Sequence, residues 1–199
     1  MDEKTPSNRQ MATLKRRKHI VEAAAICFVE QGFHQTSIRD IAKRAGISLG
    51  NLYNHFESKT DLIAEIASLE AHEMVQILDV LEQDGPGLEV IDAFTVAYFD
   101  YVSRPENAVL AAEITAEAMR SPQIVGGFSE NSNRTIGAVI KVLGADAISF
   151  PERKEEMAKM LLDLIESSAG RVAFEKKKVK ASTLADLRSV VRRLLTDHS

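Results

Sequence analysis

Hydrophobic positions recur along most of the chain at intervals of three and four residues, with polar positions between them. This spacing places the apolar side chains on one face of an α-helix. No segment alternates convincingly in the manner of a β-strand, and Gly, Pro and Ser interrupt the periodic segments. We therefore predict an all-α fold of about nine helices. They are expected at residues 13–31, 38–45, 49–56, 59–82, 88–103, 105–120, 123–143, 151–176 and 183–197.

Residues 36–56 predict two short helices joined by a tight turn. Ser37 is placed to cap the first helix, with Asp40 at the far position of a capping box. Gly46 follows the last apolar residue of that helix, where a left-handed C-cap meets no steric cost. Ser48 then caps the second helix. Only three residues separate the two helices, so they must cross steeply, which is the geometry of a helix-turn-helix.

The second helix of this pair has an unusual outer face. It carries Gly50, Asn51, Tyr53, Asn54 and His55, which are mediocre helix formers, whereas a purely solvated face usually carries Glu, Lys and Gln. Asn bonds bidentately to adenine, and Tyr, His and backbone amides contact phosphates. We interpret this face as a DNA-reading surface. A solvated surface is the alternative interpretation.

The region from about Lys15 to Ile66 resembles the DNA-binding domain of the TetR family of transcriptional regulators. The resemblance covers roughly a quarter to a third of the chain, and the rest is variable in that family. After an apolar first helix, the matching motifs are Gly32-Phe33, Thr36-Ser37, Asp40-Ile41-Ala42, Ala45-Gly46-Ile47-Ser48, Leu52-Tyr53-x-His55-Phe56 and Ser58-Lys59-x-Asp61-Leu62.

The outer face and the resemblance together define the residues expected to meet DNA. In the family, the position of Lys59 often meets a phosphate, and the amides at a helix start also favour anions. The expected DNA-binding residues are Arg16, Thr36, Ser37, Arg39, Ser48, Leu49, Gly50, Asn51, Tyr53, Asn54, His55 and Lys59.

Charge is distributed unevenly along the chain. The formal net charge is −4, but residues 1–60 carry ten Lys/Arg and six Asp/Glu, a net of +4, and the remainder carries −8. A basic head on an acidic body is expected when only the head meets phosphates. The cluster Lys15–Lys18 opens the first helix, where cations oppose the helix dipole, so an external anion is a plausible reason for it. A solvated charge run is the alternative.

Composition excludes several other classes. No run of about 18 apolar residues predicts a membrane span, and the N-terminus lacks the apolar segment of a signal peptide. The single cysteine, Cys27, fits a reducing compartment and lies on the apolar stripe of the first helix. We expect a cytoplasmic protein. No phosphate loop, metal-ligand spacing or nucleophile motif is present, so we predict no catalytic residue, metal or cofactor, and no enzyme.

Two domains follow from these patterns. Residues 1–58 are predicted to form the helix-turn-helix DNA-binding domain, with residues 1–12 expected to lack fixed structure. Residues 59–199 are predicted to form a helical effector-binding and dimerisation bundle. The long helix expected from Lys59 connects the two, and Asp84-Gly85-Pro86-Gly87 is a strong break after it.

The middle helices are where a pocket for a small molecule is expected. Three aromatic residues share one face of a helix, and two glutamates share a face of the next. Aromatic walls with a carboxylate suit an amphipathic or cationic ligand, although such stripes usually belong to a core. The predicted effector-binding residues are Phe94, Tyr98, Tyr101, Glu113, Glu117, Phe128 and Asn131.

The last two predicted helices combine apolar and small residues over several turns. Two such helices from each subunit could form a four-helix bundle in a homodimer, as the resemblance also implies. The alternative is that both faces pack within one chain. The predicted interface residues are Leu161, Leu164, Ile165, Ser168, Val172, Leu187, Val191 and Leu194.

These observations favour a DNA-binding transcriptional regulator. Its expected form is a homodimeric repressor that a small-molecule effector releases from a palindromic operator. Its partners would be double-stranded operator DNA, an unidentified effector and a second copy of the chain, with no membrane. The alternative is a small-molecule carrier or an enzyme that is built on the helical body and keeps a vestigial DNA-binding head.

Overall fold

The computed structural model describes residues 7–145, 153–175 and 180–196, without the side chains of residues 8, 71, 122–128 and 145. The described residues form nine α-helices and a 3-10 turn at Asp79–Glu82, with no strand among them, which confirms the predicted all-α class. The helices are α1 (Asn8–Gln31), α2 (Ile38–Arg44), α3 (Leu49–Tyr53), α4 (Lys59–Leu78), α5 (Gly87–Val102), α6 (Pro105–Ala118), α7 (Pro122–Ala145), α8 (Lys154–Glu175) and α9 (Ala181–Thr196).

The chain forms two compact units. The first, which we call the head, combines the described residues up to Leu69 with Ala112–Gly127. The second, which we call the body, combines Glu70–Ala111 with the described residues from Phe128 onward. The boundary falls inside α4, α6 and α7, so each of these helices contributes residues to both units. The predicted division at residue 58 placed all three helices in the second domain.

Helix α1 begins earlier than its apolar stripe predicts. Ser7 is its N-cap: the Ser7 hydroxyl accepts the Gln10 amide at 3.3 Å, and the Gln10 side chain accepts the Ser7 amide at 2.7 Å. This capping box satisfies amides that have no partner inside the helix. Residues 8–12, expected to lack fixed structure, are therefore helical.

The head is built around the apolar face of α1. Ile20, Ala24 and Phe28 of α1 are fully buried, as are Ile41 of α2 and Leu52 of α3. Cys27 is buried on the same face, and this burial raises the pKa of its thiol. The predicted core position of Cys27 is confirmed. Helix α2 packs against both α1 and α3, which is the arrangement that the short turn requires.

The body has its own core, in which α5 packs against α8 and α9. Phe94 and Phe99 of α5 are fully buried there, together with Leu161 and Ile165 of α8. Arg188 of α9 also forms an ion pair with Asp92 of α5, which links these two packed helices. None of the helices in the described ranges is long and apolar enough to cross a lipid bilayer.

Candidate nucleic-acid interface

Local hydrogen bonds fix the start of both helices in the helix-turn-helix. The amide of Asp40 donates to the Ser37 hydroxyl at 3.1 Å, and the Ser37 amide donates to the Asp40 carboxylate at 3.0 Å. The Ser37 hydroxyl also donates to this carboxylate, and that bond, followed by the bond from the Ser37 amide, lowers the pKa of the Asp40 carboxyl. At the second helix, the Asn51 amide donates to the Ser48 hydroxyl at 3.2 Å. Both predicted caps are confirmed.

The turn between α2 and α3 depends on Gly46, which has φ +63°. The amide of Gly46 donates to the Lys43 carbonyl at 3.2 Å, and the amide of Ile47 donates to the Ala42 carbonyl at 3.0 Å. This pair of bonds is a Schellman motif, which ends a helix with a left-handed residue. A residue with a Cβ would be strained at this φ, so Gly46 sets the angle at which the chain enters α3.

Helix α3 is anchored by its apolar residues and leaves a polar face outside. Leu52 is fully buried and Phe56, just after the helix, is 3% exposed. On the opposite side, Gly50, Asn51 and Asn54 are exposed, and Tyr53 is 50% exposed. The side chains of this face are therefore available for contact with a partner.

The remaining predicted residues divide by exposure. Some are exposed, either on α1 and α2 or at the N-caps of α2 and α3. The others lie at or near helix ends and are half-buried. Exposed residues are Arg16, Ser37, Arg39 and Ser48, and half-buried residues are Leu49, His55 and Lys59.

Thr36 does not lie on the surface that was predicted to meet DNA. Its side chain is buried, with 1% of the residue exposed, and its hydroxyl donates to the Gly32 carbonyl at 2.8 Å. The Cys27 carbonyl lies 3.2 Å from the same hydroxyl. Thr36 therefore closes the end of α1 as a core residue. Its polarity suggested a surface position because the sequence does not show these acceptors.

Lys59 also turns inward. Its ammonium donates to the Phe33 carbonyl at 2.6 Å and to the Thr36 carbonyl at 2.8 Å, and it lies 4.5 Å from the centre of the Phe33 ring. Burial lowers the pKa of Lys59. The His34 carbonyl lies 3.5 Å from the Lys59 nitrogen. Because an ammonium has three donors, the predicted phosphate contact is left with one donor at most, and these carbonyl contacts give the side chain a structural role.

Glu113 and Glu117 of α6, assigned to an effector pocket, instead hold the loop between α1 and α2. Glu113 accepts the Phe33 amide at 3.0 Å. Glu117 is 7% exposed, and its carboxylate lies 2.9 Å from both His34 Nε2 and Arg120 Nη1. The contacts with Phe33 and His34 join residues about 80 positions apart, so no local pattern could predict them. We call the two residues the α6 glutamates.

Known proteins resemble the chain in both sequence and fold. The family model for bacterial regulatory proteins of the tetR family matches residues 20–66. UidR of Escherichia coli, an HTH-type transcriptional regulator, is 29% identical over 196 residues, 95% of this chain and 97% of UidR. The HTH-type transcriptional repressor KstR2 of Mycobacterium tuberculosis is 30% identical over 107 residues, 53% of this chain and 54% of KstR2. The structure of Salmonella enterica GusR is 28% identical, with a TM-score of 0.71, and the match covers 92% of this chain and 96% of GusR.

The chain belongs to the TetR family. It is a helix-turn-helix transcriptional regulator, and the resemblance seen in its sequence is confirmed. The match to the family model spans the second half of α1, all of α2 and α3, and the start of α4, so it includes the helix that carries the polar outer face.

In the body of this TetR-family regulator, the predicted aromatic residues lie together. The rings of Phe94 and Tyr98 stack with centroids 5.3 Å apart, and the Tyr98 hydroxyl donates to Glu166 at 2.6 Å. The Tyr101 hydroxyl lies 3.5 Å from a carboxylate oxygen of Glu73. Asn131 is half-buried, and the side chain of Phe128 lies outside the described residues.

Three glutamates that the sequence prediction did not include in the effector site accompany these tyrosines. Burial, followed by repulsion from Glu73, raises the pKa of Glu70 to about 7. Desolvation of its carboxyl also raises the pKa of Glu166, although the residue as a whole is exposed. No lysine or arginine among the described residues is ion-paired with Glu70, Glu73 or Glu166. We call these three residues with Tyr98 and Tyr101 the acidic aromatic cluster. In the sequence, the i, i+3 spacing of Glu70 and Glu73 on α4 was the signal that could have placed two of these carboxylates on one helix face.

The predicted dimer residues fall on two different faces. Leu161 and Ile165 are completely buried, and Leu187 and Val191 are at most 5% exposed. All four pack inside the body core. They have little surface to offer a second subunit. Leu164, Ser168, Val172 and Leu194 are half-buried, and Met160 and Val190 beside them are 49% and 50% exposed. These six residues form the outer apolar face of α8 and α9.

Proposed function

We propose that this regulator is a homodimeric repressor, located in the cytoplasm, that a small-molecule effector releases from a palindromic operator. The polar outer face of α3 carries the proposal, because it presents Asn51 and a half-exposed Tyr53 on a helix whose other side is anchored in the head. Asn and Tyr are suited to base edges and phosphates in the major groove. The name of KstR2, a repressor, supports the direction of regulation.

The two-fold symmetry of a dimer would explain the palindrome. Two copies of α3 that face the same side of a duplex read half-sites one helical turn apart. The outer apolar face of α8 and α9 is the surface that we propose to bury in the dimer, since it offers side chains such as Leu164 and Val190 that the body core leaves partly uncovered. An isologous contact places the same face on both subunits.

The α6 glutamates offer a route from effector to head. Helix α6 begins in the body, and its second half belongs to the head, where Glu113 and Glu117 hold Phe33 and His34. A shift of α6 on effector binding would therefore move the loop that precedes α2. An effector releases DNA only if it binds the released conformation more tightly than the DNA-bound one.

The acidic aromatic cluster favours a cationic effector. Tyrosine faces attract cations, and three carboxylates without a described cationic partner would repel an anion. The chain's own Arg104 already lies 6.0 Å from the centre of the Tyr101 ring, held by Asp100. This contact supports the proposal, because it places a cation against a tyrosine of the cluster.

Operator binding is tested by selection. The purified chain should enrich duplexes from a random library, and the enriched sequences should contain two inverted half-sites. A reporter gene placed behind such a duplex should be expressed less when the regulator is present. Enriched sequences without two-fold symmetry would contradict the dimeric form, and increased reporter expression would contradict repression.

The effector class is tested with two lipophilic ions of the same shape. Tetraphenylphosphonium is a cation and tetraphenylborate is its anionic counterpart. The cation should raise the melting temperature of the chain by mass action, and the shift should shrink in Glu70→Gln. Stabilisation by the borate alone would exclude the cationic class.

Replacing Glu70 by Gln should also change how stability depends on pH. The pKa of Glu70 is about 7 in the folded chain against 4.5 ordinarily, so the folded chain holds a proton in this range that the unfolded chain has released. Stability from this group is therefore full below pH 4.5 and is lost as the pH rises through 7. The full shift corresponds to about 3 kcal/mol, which partial exposure reduces to about 1–2 kcal/mol.

Urea denaturation at about pH 5 and about pH 8 measures this effect. Relative to the unchanged chain, Glu70→Gln should gain about 1–2 kcal/mol more at the higher pH. Glu130→Gln, on an exposed position of α7, is the matched control and should show no such difference. An equal effect of Glu70→Gln at both pH values would mean that this carboxyl is not buried in the folded chain.

A further inference from the structure

Arg17 differs from the other members of the basic cluster at the start of α1. Lys15 and Arg16 are exposed, and Lys18 is exposed with its ammonium 3.9 Å from Glu22. The side chain of Arg17 is only 32% exposed. Its guanidinium is engaged on three sides by other elements of the head.

The contacts of Arg17 converge on the end of the recognition helix. Nη1 donates to the carbonyl of His55 at 2.8 Å, two residues after the last residue of α3. The guanidinium carbon lies 4.3 Å from the centre of the Phe56 ring. The His55 carbonyl lies beyond the C-cap of α3, outside the hydrogen-bond pattern of the helix, and a guanidinium is well suited to bind it while stacking on an aromatic ring.

The third contact ties this arrangement to α4. Nη2 of Arg17 lies 2.9 Å from the Glu65 carboxylate, so the positive charge is already balanced within the head. Arg17 therefore joins α1, the end of α3 and α4. An arginine that contacts phosphate needs a guanidinium that DNA can reach. Arg16, which is exposed, meets this condition.

We propose that Arg17 is a positioning residue for DNA recognition: it holds the end of α3 at the angle needed to enter the major groove, and it does not itself contact DNA. The proposal rests on the operator-binding function given above. It assigns to Glu65, an acidic residue in a DNA-binding head, a supporting role in DNA binding.

The salt dependence of binding separates positioning from phosphate contact. Affinity is measured by fluorescence anisotropy, from about 50 to 300 mM salt, for a duplex that the unchanged chain has enriched. Arg17→Met should weaken binding about 10-fold and leave the slope of log Kd against log salt unchanged. Arg16→Met is the matched neighbour and should lower the slope by about 1 for each subunit.

Two further variants sharpen the test. Arg17→Lys keeps the charge but loses the fork that reaches His55 and Glu65 together, so it should not restore affinity. Glu65→Gln removes a negative charge, which by electrostatics alone would strengthen DNA binding, whereas the positioning role predicts weaker binding, about 3-fold or more. Thermal melts of every variant establish that the head is folded.

Three results would overturn the proposal. They are a reduced salt slope in Arg17→Met, full rescue by Arg17→Lys, and unchanged or stronger binding by Glu65→Gln. If Arg17→Met does not fold, the Arg17→Lys and Glu65→Gln results decide. Failure of the unchanged chain to enrich any duplex is a separate outcome, which overturns operator binding itself and the role of Arg17 with it.

Discussion

Replacing Gly50 by Glu should abolish specific DNA binding without unfolding the head. Gly50 is exposed on the outer face of α3, and a Cβ added there would meet nothing within 4 Å. The fold therefore accepts a side chain at this position, and Glu is a better helix former than Gly by roughly 0.5–1 kcal/mol. In the groove, however, the added carboxylate would meet phosphates and occupy the space of close approach. We expect the Kd for the enriched duplex to rise at least about 100-fold.

Gly137→Glu provides the matched control. Gly137 lies in α7, it is exposed, and a Cβ there also meets nothing within 4 Å. Both variants add the same charge to a helix, but only one adds it to the recognition helix. Anisotropy measures the Kd and circular dichroism measures the melt. A Kd within about threefold of the unchanged chain for Gly50→Glu would exclude the outer face of α3 from the DNA interface.

The features of the helix-turn-helix that the sequence predicts well are those whose causes are local. The caps at Ser37 and Ser48 use hydrogen bonds that span three residues, and the Gly46 turn closes within five. The signals are residue type and spacing alone. For the same reason, Ser7 and Gln10 could have been recognised as the start of α1, since Ser-x-x-Gln is a capping-box pattern.

Inward-turned polar residues could not be predicted in this way. Thr36 and Lys59 are polar residues in a motif that meets DNA, so the sequence favoured the surface. Lys59 reaches the carbonyls of Phe33 and Thr36 only in the folded head. Thr36, in contrast, bonds back to Gly32, four residues earlier, and it is the tertiary packing that buries its side chain. A polar side chain is buried when its hydrogen bonds are satisfied, and that depends on the tertiary structure.

The α6 glutamates show the same limit at longer range. A pair of glutamates at i, i+4 on a helix predicts one charged face, but not what that face meets. The structure gives Glu113 a backbone amide and Glu117 an imidazole and a guanidinium, all in the head. The carboxylates near Tyr98 and Tyr101 are instead Glu166 and Glu73, from helices α8 and α4. Carboxylates therefore do accompany the predicted tyrosines, but they are not the pair that the i, i+4 spacing singled out, and the effector site itself stays a prediction.

Replacing Leu164 by Arg should separate the proposed dimer into monomers. Leu164 lies on the outer apolar face of α8 and is half-buried in the single chain, whereas Leu161, one turn earlier, is fully buried in the body core. An arginine at position 164 would bring two unpaired charges into the centre of an isologous contact, since the two-fold axis repeats each residue. Analytical ultracentrifugation at about micromolar concentration should show half the mass of the unchanged chain.

The loss of the dimer should then appear in DNA binding. A monomer holds one half-site, so the contacts of the second α3 are lost, and the Kd for the full palindrome should rise by about 100-fold or more. Val109→Arg is the control, because Val109 is 39% exposed on α6 and carries the same kind of side chain away from this face. Its mass and Kd should be unchanged. If Leu164→Arg stayed dimeric and folded, the subunits would have to meet through another surface, and the burial of Leu161 and Ile165 excludes the inner face of α8.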